Sequence, residues 1–111
     1  MKDRNRGGVA TGKSQVNWRI REDLLVKARE SADQRGFTSL PQFINYLLVC
    51  FDVRTNRTAR KSTTMPVNWR ISVEAIDRAK GRAADLGLAS VPAFVNLLLA
   101  EYIAGRAVRI K

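Results

Sequence analysis

The sequence predicts a mainly helical fold with a two-stranded β-ribbon, formed by one strand–helix–helix unit that occurs twice in the same chain. Three observations carry this. Residues 15–20, Gln-Val-Asn-Trp-Arg-Ile, alternate strictly between polar and apolar, the period of a half-buried strand. The run returns at residues 66–71 as Pro-Val-Asn-Trp-Arg-Ile, 51 positions on. Each copy is then followed by two apolar stripes at steps of three and four, the period of amphipathic helices.

The repeat extends past the strand without a gap. Ala28 matches Ala79, Ala32 matches Ala83, Gly36 matches Gly87 and Ser39 matches Ser90. Pro41 and Pro92, Phe43 and Phe94, Asn45 and Asn96, and Leu47-Leu48 and Leu98-Leu99 continue the series. One structural unit present twice accounts for this; chance does not. A unit of roughly 40 residues rarely buries a stable core alone. The two copies are therefore expected to fold against each other as a single-chain pseudodimer.

Residues 1–14 hold Lys2, Arg4, Arg6, Gly7, Gly8, Gly12 and Lys13 with no apolar period, which predicts a disordered basic arm. It is either a solvated tail or a strip that orders along phosphates or in a minor groove. Residues 15–53 form the first unit. In its strand Val16, Trp18 and Ile20 share one face and Gln15, Asn17 and Arg19 the other. Residues 22–35 read as a helix with Leu24, Leu25, Ala28 and Ala32 on the buried side, acidic Glu22 and Asp23 in the first turn, and Gly36 as its stop. Ser39 caps a second helix, with Pro41 in the first turn and Leu40, Phe43, Ile44, Leu47, Leu48 and Phe51 as its stripe.

Residues 54–64, Arg-Thr-Asn-Arg-Thr-Ala-Arg-Lys-Ser-Thr-Thr, are polar and basic without a period and predict a linker. Fully extended, such a segment reaches about 40 Å, enough to return to the start of the next unit. The second unit spans 65–105: the strand at 66–71, a helix over 73–86 capped by Ser72 and stopped by Gly87, and a helix after Ser90 with Val91, Phe94, Val95, Leu98, Leu99 and Tyr102 as its stripe. Residues 106–111 are a short tail without a structural signal.

Charge narrows the partners. Lys and Arg number 20 against 10 Asp and Glu, a net charge of +10 in 111 residues. That balance calls for an anionic partner, either nucleic acid or an acidic membrane surface. Cys50 is the single cysteine and histidine is missing, which removes an intrachain disulfide, the usual zinc sites and histidine catalysis. Cys50 lies among apolar residues and reads as a small core hydrophobe. No apolar run reaches the ~18 residues of a membrane span, and the basic start lacks a secretory apolar region. The expected location is the cytoplasm. The carboxylates form no catalytic constellation, and Gly7-Gly8 and Gly12-Lys13 make no phosphate-binding loop. No enzyme activity, cofactor or metal is expected.

The polar strand face carries the functional signal. Arginine matches guanine O6 and N7 bidentately, and asparagine or glutamine matches adenine N6 and N7. Gln15, Asn17 and Arg19 in the first copy, with Asn68 and Arg70 in the second, would give a ribbon face of base-reading side chains. An ordinary solvated strand face does not explain why Asn and Arg recur in register. If Asn17 sits opposite Asn68, Gln15 lies beside Arg70 and Arg19 beside Pro66. Trp18 and Trp69 could stack on bases, but their parity places them on the core side. The first turns of the second helices offer unpaired N–H groups and the positive end of the helix dipole. This makes Ser39, Leu40 and Gln42, with Ser90, Val91 and Ala93, candidate phosphate contacts. Pro41 and Pro92 remove a donor from each set.

A strand, a helix and a helix with one reader strand per unit resembles the ribbon-helix-helix family of DNA-binding proteins, over roughly residues 15–53 and 66–104. The resemblance implies that the strands pair as an antiparallel ribbon in the major groove, over a core of four helices whose second-helix ends clamp phosphates. Gln15, Asn17 and Arg19 look like the reader strand of the Arc-type repressors; Pro66 departs from that pattern. Most of the family are homodimers of short chains. A chain with both units resembles the TraY-type relaxosome proteins of conjugative plasmids and is similar to the overdrive-binding protein of T-DNA transfer.

The expectation is sequence-specific binding of double-stranded DNA by a chain that is monomeric in solution. Its role would be that of an accessory factor in conjugative plasmid or T-DNA processing, or alternatively of a repressor of plasmid or phage transcription. Several copies on DNA, and contacts to other DNA-processing or transcription proteins, are compatible with either. A helix-turn-helix reader would need a polar second helix, which Phe43, Ile44, Leu47 and Leu48 rule against. An antitoxin would need a longer tail than residues 106–111.

Overall fold

Eight elements follow one another in the computed structural model: β1 (Lys13–Arg21), α1 (Glu22–Gln34), α2 (Leu40–Cys50), β2 (Phe51–Asp52), β3 (Thr64–Ser72), α3 (Val73–Asp85), α4 (Val91–Ile103) and β4 (Val108–Arg109). The structure describes residues 12–54 and 63–110. Most of the expected basic arm and linker lies outside the described residues. The chain is mostly helical, with two small antiparallel sheets, β1–β3 and β2–β4.

The strand pairing has the register that places each copy against its own counterpart. Asn17 faces Asn68, Gln15 faces Arg70 and Arg19 faces Pro66. Val73 N–H donates to Gly12 O and Glu22 N–H to Thr63 O, each at 2.9 Å, closing the ladder at both ends. Hydrogen-bonded and non-hydrogen-bonded pairs alternate along an antiparallel ladder. Asn17–Asn68 and Arg19–Pro66 therefore occupy non-hydrogen-bonded positions, and proline's missing N–H takes nothing from the ladder.

One face of the ribbon is buried. Trp18 and Trp69 meet edge to face, ring centroids 6.2 Å apart at 84°, a geometry worth about 0.5–1.5 kcal/mol beyond the area covered. Ile20 and Ile71 are fully buried beside them. Beneath lie Phe43, Ile44, Leu47 and Leu48 of α2 and Phe94, Val95, Leu98 and Leu99 of α4, all buried. Complete burial of each such side chain contributes about 1.5–3 kcal/mol. Ala28, Ala32, Ala79 and Ala83 bring α1 and α3 close to this core. Both outer helices end in the same way. Gly36 (φ 82°) and Gly87 (φ 71°) turn the chain, and Phe37 N–H and Leu88 N–H reach back to Ala32 O and Ala83 O, which satisfies carbonyls the helix leaves open.

Two asparagines lock the copies together. Asn45 Oδ1 on α2 accepts from Ser72 N–H (2.8 Å), and Asn96 Oδ1 on α4 accepts from Arg21 N–H (3.0 Å). Each asparagine thus holds the strand–helix junction of the other copy. Asn96 also donates to Arg19 O (3.2 Å) and Pro92 O (3.0 Å). On one side only, Asp52 binds Arg78 (3.4 Å) and Arg82 (3.0 Å), and Arg78 donates to Leu48 O (2.7 Å). Burial lowers the pKa of Arg82, but hydrogen bonds and charge from Asp52 and Asp85 outweigh it and the net shift is upward.

Three expected boundaries are corrected. Residues 12–14, read as part of the arm, belong to the ladder, because cross-strand pairing continues where the apolar period has stopped. Residues 63 and 64, read as linker, do the same on the opposite strand. The tail at 106–111 contains β4, which pairs with β2 through Phe51↔Arg109 and Asp52↔Val108. It is held by Ile110 N–H on Cys50 O (2.8 Å) and by Arg109 on the Tyr46 hydroxyl (3.0 Å). Arg106 adds an ion pair to the buried Glu101 (2.8 Å). Cys50, expected in the core, is half-buried at its rim.

Candidate nucleic-acid interface

The face of the ribbon turned away from the helices carries Lys13, Gln15, Asn17, Arg19, Asn68 and Arg70, all exposed. No carboxylate occurs in β1 or β3. The five side chains expected to read bases are therefore brought together on one surface, with Asn17 and Asn68 at its centre, where opposed side chains come closest. Pro66 lies on the same face opposite Arg19 and contributes no polar group.

The two arginines differ. Arg19 Nε donates to Thr64 Oγ1 at 3.1 Å and Nη2 to Thr64 O at 3.2 Å. Arg70, its counterpart, makes no hydrogen bond or ion pair among the described residues. It lines a groove of about 440 Å³ with Lys13, Ser39, Pro41, Gln42, Asn45, Asn68 and Trp69. The groove runs between the ribbon and the start of α2, so two cations stand beside a helix N-terminus.

The helix starts are capped as expected. Ser39 Oγ accepts from Gln42 N–H at 3.4 Å and Ser90 Oγ from Ala93 N–H at 3.3 Å. Two of the N–H groups assigned to phosphate are therefore already engaged, and the caps leave those of Leu40 and Val91. The side chain of Leu40 is buried, so only its backbone can serve. The Gln42 side chain is turned to Thr38, whose hydroxyl donates to it at 2.7 Å.

Lys13 and Asn45 were missed as parts of this surface. Lys13 has the parity of Gln15, Asn17 and Arg19, and that signal could have found it. Asn45 is a polar side chain in the middle of an apolar helix, and it recurs as Asn96. Among the described residues no group of three or more carboxylate or thiol side chains comes together to hold a metal, and no helix is long and apolar enough to cross a membrane. Comparisons with family models, curated proteins and solved structures find no match.

Proposed function

We propose that this protein is a sequence-specific double-stranded DNA-binding protein, a tandem ribbon-helix-helix pseudodimer in which both reader strands come from one chain. The observation that carries the reading is the outer ribbon face. It offers Gln15, Asn17, Arg19, Asn68 and Arg70 in register about the Asn17–Asn68 pair, free of acidic side chains. A two-stranded ribbon fits the major groove of B-form DNA. The opposite face is filled by Trp18, Trp69, Ile20 and Ile71 and is committed to the core. The +10 charge supplies the attraction that any duplex exerts, and the side chains supply the discrimination. A place in plasmid transfer or T-DNA processing rests on the resemblance of the tandem layout alone.

Selection of bound sites from randomised duplexes tests the reading. The expected result is one enriched site, bound at least ~10³-fold more tightly than random duplex at physiological salt. Equal retention of all sequences would overturn it.

A further inference from the structure

We propose that Thr64 is a positioning residue that fixes Arg19 for base reading, and that Lys13, its counterpart, leaves Arg70 without that support. The inference rests on the DNA-binding reading above. It assigns unequal work to two arginines that the sequence repeat makes equivalent.

The Arg19 guanidinium has five N–H donors in a rigid fork. Thr64 takes one donor from Nε and one from Nη2. Three remain: one on each Nη forms the end-on edge that meets guanine O6 and N7, and the second on Nη1 points to the Cδ side. Thr64 thus occupies the lateral edge and leaves the reading edge open. Both acceptors belong to one residue of the facing strand, so the fork is held against that strand before any base arrives. A side chain whose rotamers are already restricted loses less entropy on binding and tolerates fewer wrong geometries.

The same position in the other half is built differently. The repeat places Lys13 where Thr64 stands and Arg70 where Arg19 stands. Lysine has no acceptor on its side chain, and its ammonium repels the guanidinium across the strands. Arg70 therefore stands beside Lys13 on the groove at the start of α2, without a described partner. A pair of unheld cations attracts phosphate or base alike and discriminates little.

The test uses the full-length chain and its selected duplex. Arg19→Ala and Arg70→Ala identify the base pair that depends on each arginine. Thr64→Val removes the hydroxyl acceptor with little change of shape, Thr64→Ser keeps it, and Lys13→Thr supplies it to Arg70. Discrimination is read as the affinity ratio between the selected base pair and its transversion at each of the two positions, with binding to random duplex as the control. Thr64→Val should lower the ratio at the Arg19 position about fivefold or more, a sizeable share of what a bidentate pair provides. The ratio at the Arg70 position and the control should not move. Thr64→Ser should retain the parent ratio. Lys13→Thr should raise the ratio at the Arg70 position; this gain can be read even if Thr64→Val loosens the fold. An unchanged ratio in Thr64→Val together with no gain in Lys13→Thr would overturn the inference while leaving the DNA-binding reading intact. A parent chain that selects no sequence would overturn both.

Discussion

The two halves of the ribbon are alike where they face inward and, apart from the recurring Asn17/Asn68 and Arg19/Arg70, different where they face outward. On the inner side Trp18 and Trp69 are equally buried, Ile20 and Ile71 are both inaccessible, and Asn45 and Asn96 make reciprocal bonds across the pseudo-twofold. On the outer side the repeat puts Thr64 in the place of Lys13 and Pro66 in the place of Gln15. The difference teaches what each face is for. Inner residues meet their own counterparts, so a change on one side must be accommodated by the other. Outer residues carry no such constraint, and on the proposed DNA-binding reading a duplex site without twofold symmetry would allow each half its own chemistry.

The largest expected effect tests the inner equivalence. Trp18→Ala and Trp69→Ala should each cost roughly 3–5 kcal/mol, the usual loss on truncating a buried aromatic, and by similar amounts, since each ring is 7% exposed and each packs on the other. Denaturant unfolding of the two variants measures this. A much milder loss in one of them would show that the halves share a fold but not a core.

Next in size are the locks between the copies. Asn45→Ala strands the Ser72 N–H, and Asn96→Ala strands that of Arg21. An unsatisfied buried donor costs about 1–3 kcal/mol. Asn96 also donates to Arg19 O and Pro92 O, so its variant should be the less stable of the two. Thermal melts of both decide it. The opposite order would mean that the side of the molecule where Asp52 meets Arg78 and Arg82 depends more on its lock, despite its extra ion pairs.

Much of this was legible in the sequence because the repeat reports on itself. The alternation at 15–20 and 66–71 assigned the two ribbon faces, the stripes and stops bounded α1 and α3 to within one residue at each end, and Ser39 and Ser90 marked the starts of α2 and α4, while Phe51, read into the stripe of α2, belongs to β2. What escaped had a tertiary origin. Lys13, Ser14 and Thr64 join the ladder because a partner strand lies beside them, although no apolar residue marks the extension. β4 is two residues long, too short for any period. Arg21 begins α1 without a capping side chain. Its N–H is satisfied by Asn96, 75 positions away in the chain, and its guanidinium by Asp23. The exposed polar face could be read from parity, but the unequal support of Arg19 and Arg70 depends on which residue of the opposite strand lies within reach.

At the centre of the outer face the halves should again be equal. Asn17→Ala and Asn68→Ala remove exposed side chains without described partners, so melting temperatures should stay within about 0.5 kcal/mol of the parent in stability terms. Each should cost about 1–3 kcal/mol of discrimination at one of two central base pairs. Binding titrations against the selected site and its central substitutions measure this. Discrimination lost in only one variant would mean that the asymmetry of the ribbon reaches its middle.

The smallest effect is expected at the flank, where the comparison can be made to vanish. Gln15 stands opposite Arg70 and can read a base pair on its side, whereas Pro66 stands opposite Arg19 and has no amide to offer. The selected site should therefore be an imperfect inverted repeat whose preference fades on the Pro66 side. Pro66 sits at a non-hydrogen-bonded position of the ladder, so replacing it breaks no strand–strand bond, and glutamine is accommodated by an exposed strand. Pro66→Gln should then leave the fold intact, add about 1 kcal/mol of preference at the weak flank, the low end of a side chain–base pairing, and shift the selected site toward a palindrome. Site selection with parent and variant side by side measures the shift. A parent site that is already a perfect palindrome, or a variant that selects the parent's site unchanged, would show that positions 15 and 66 lie outside the groove. The reading surface would then end at Arg19 and Arg70.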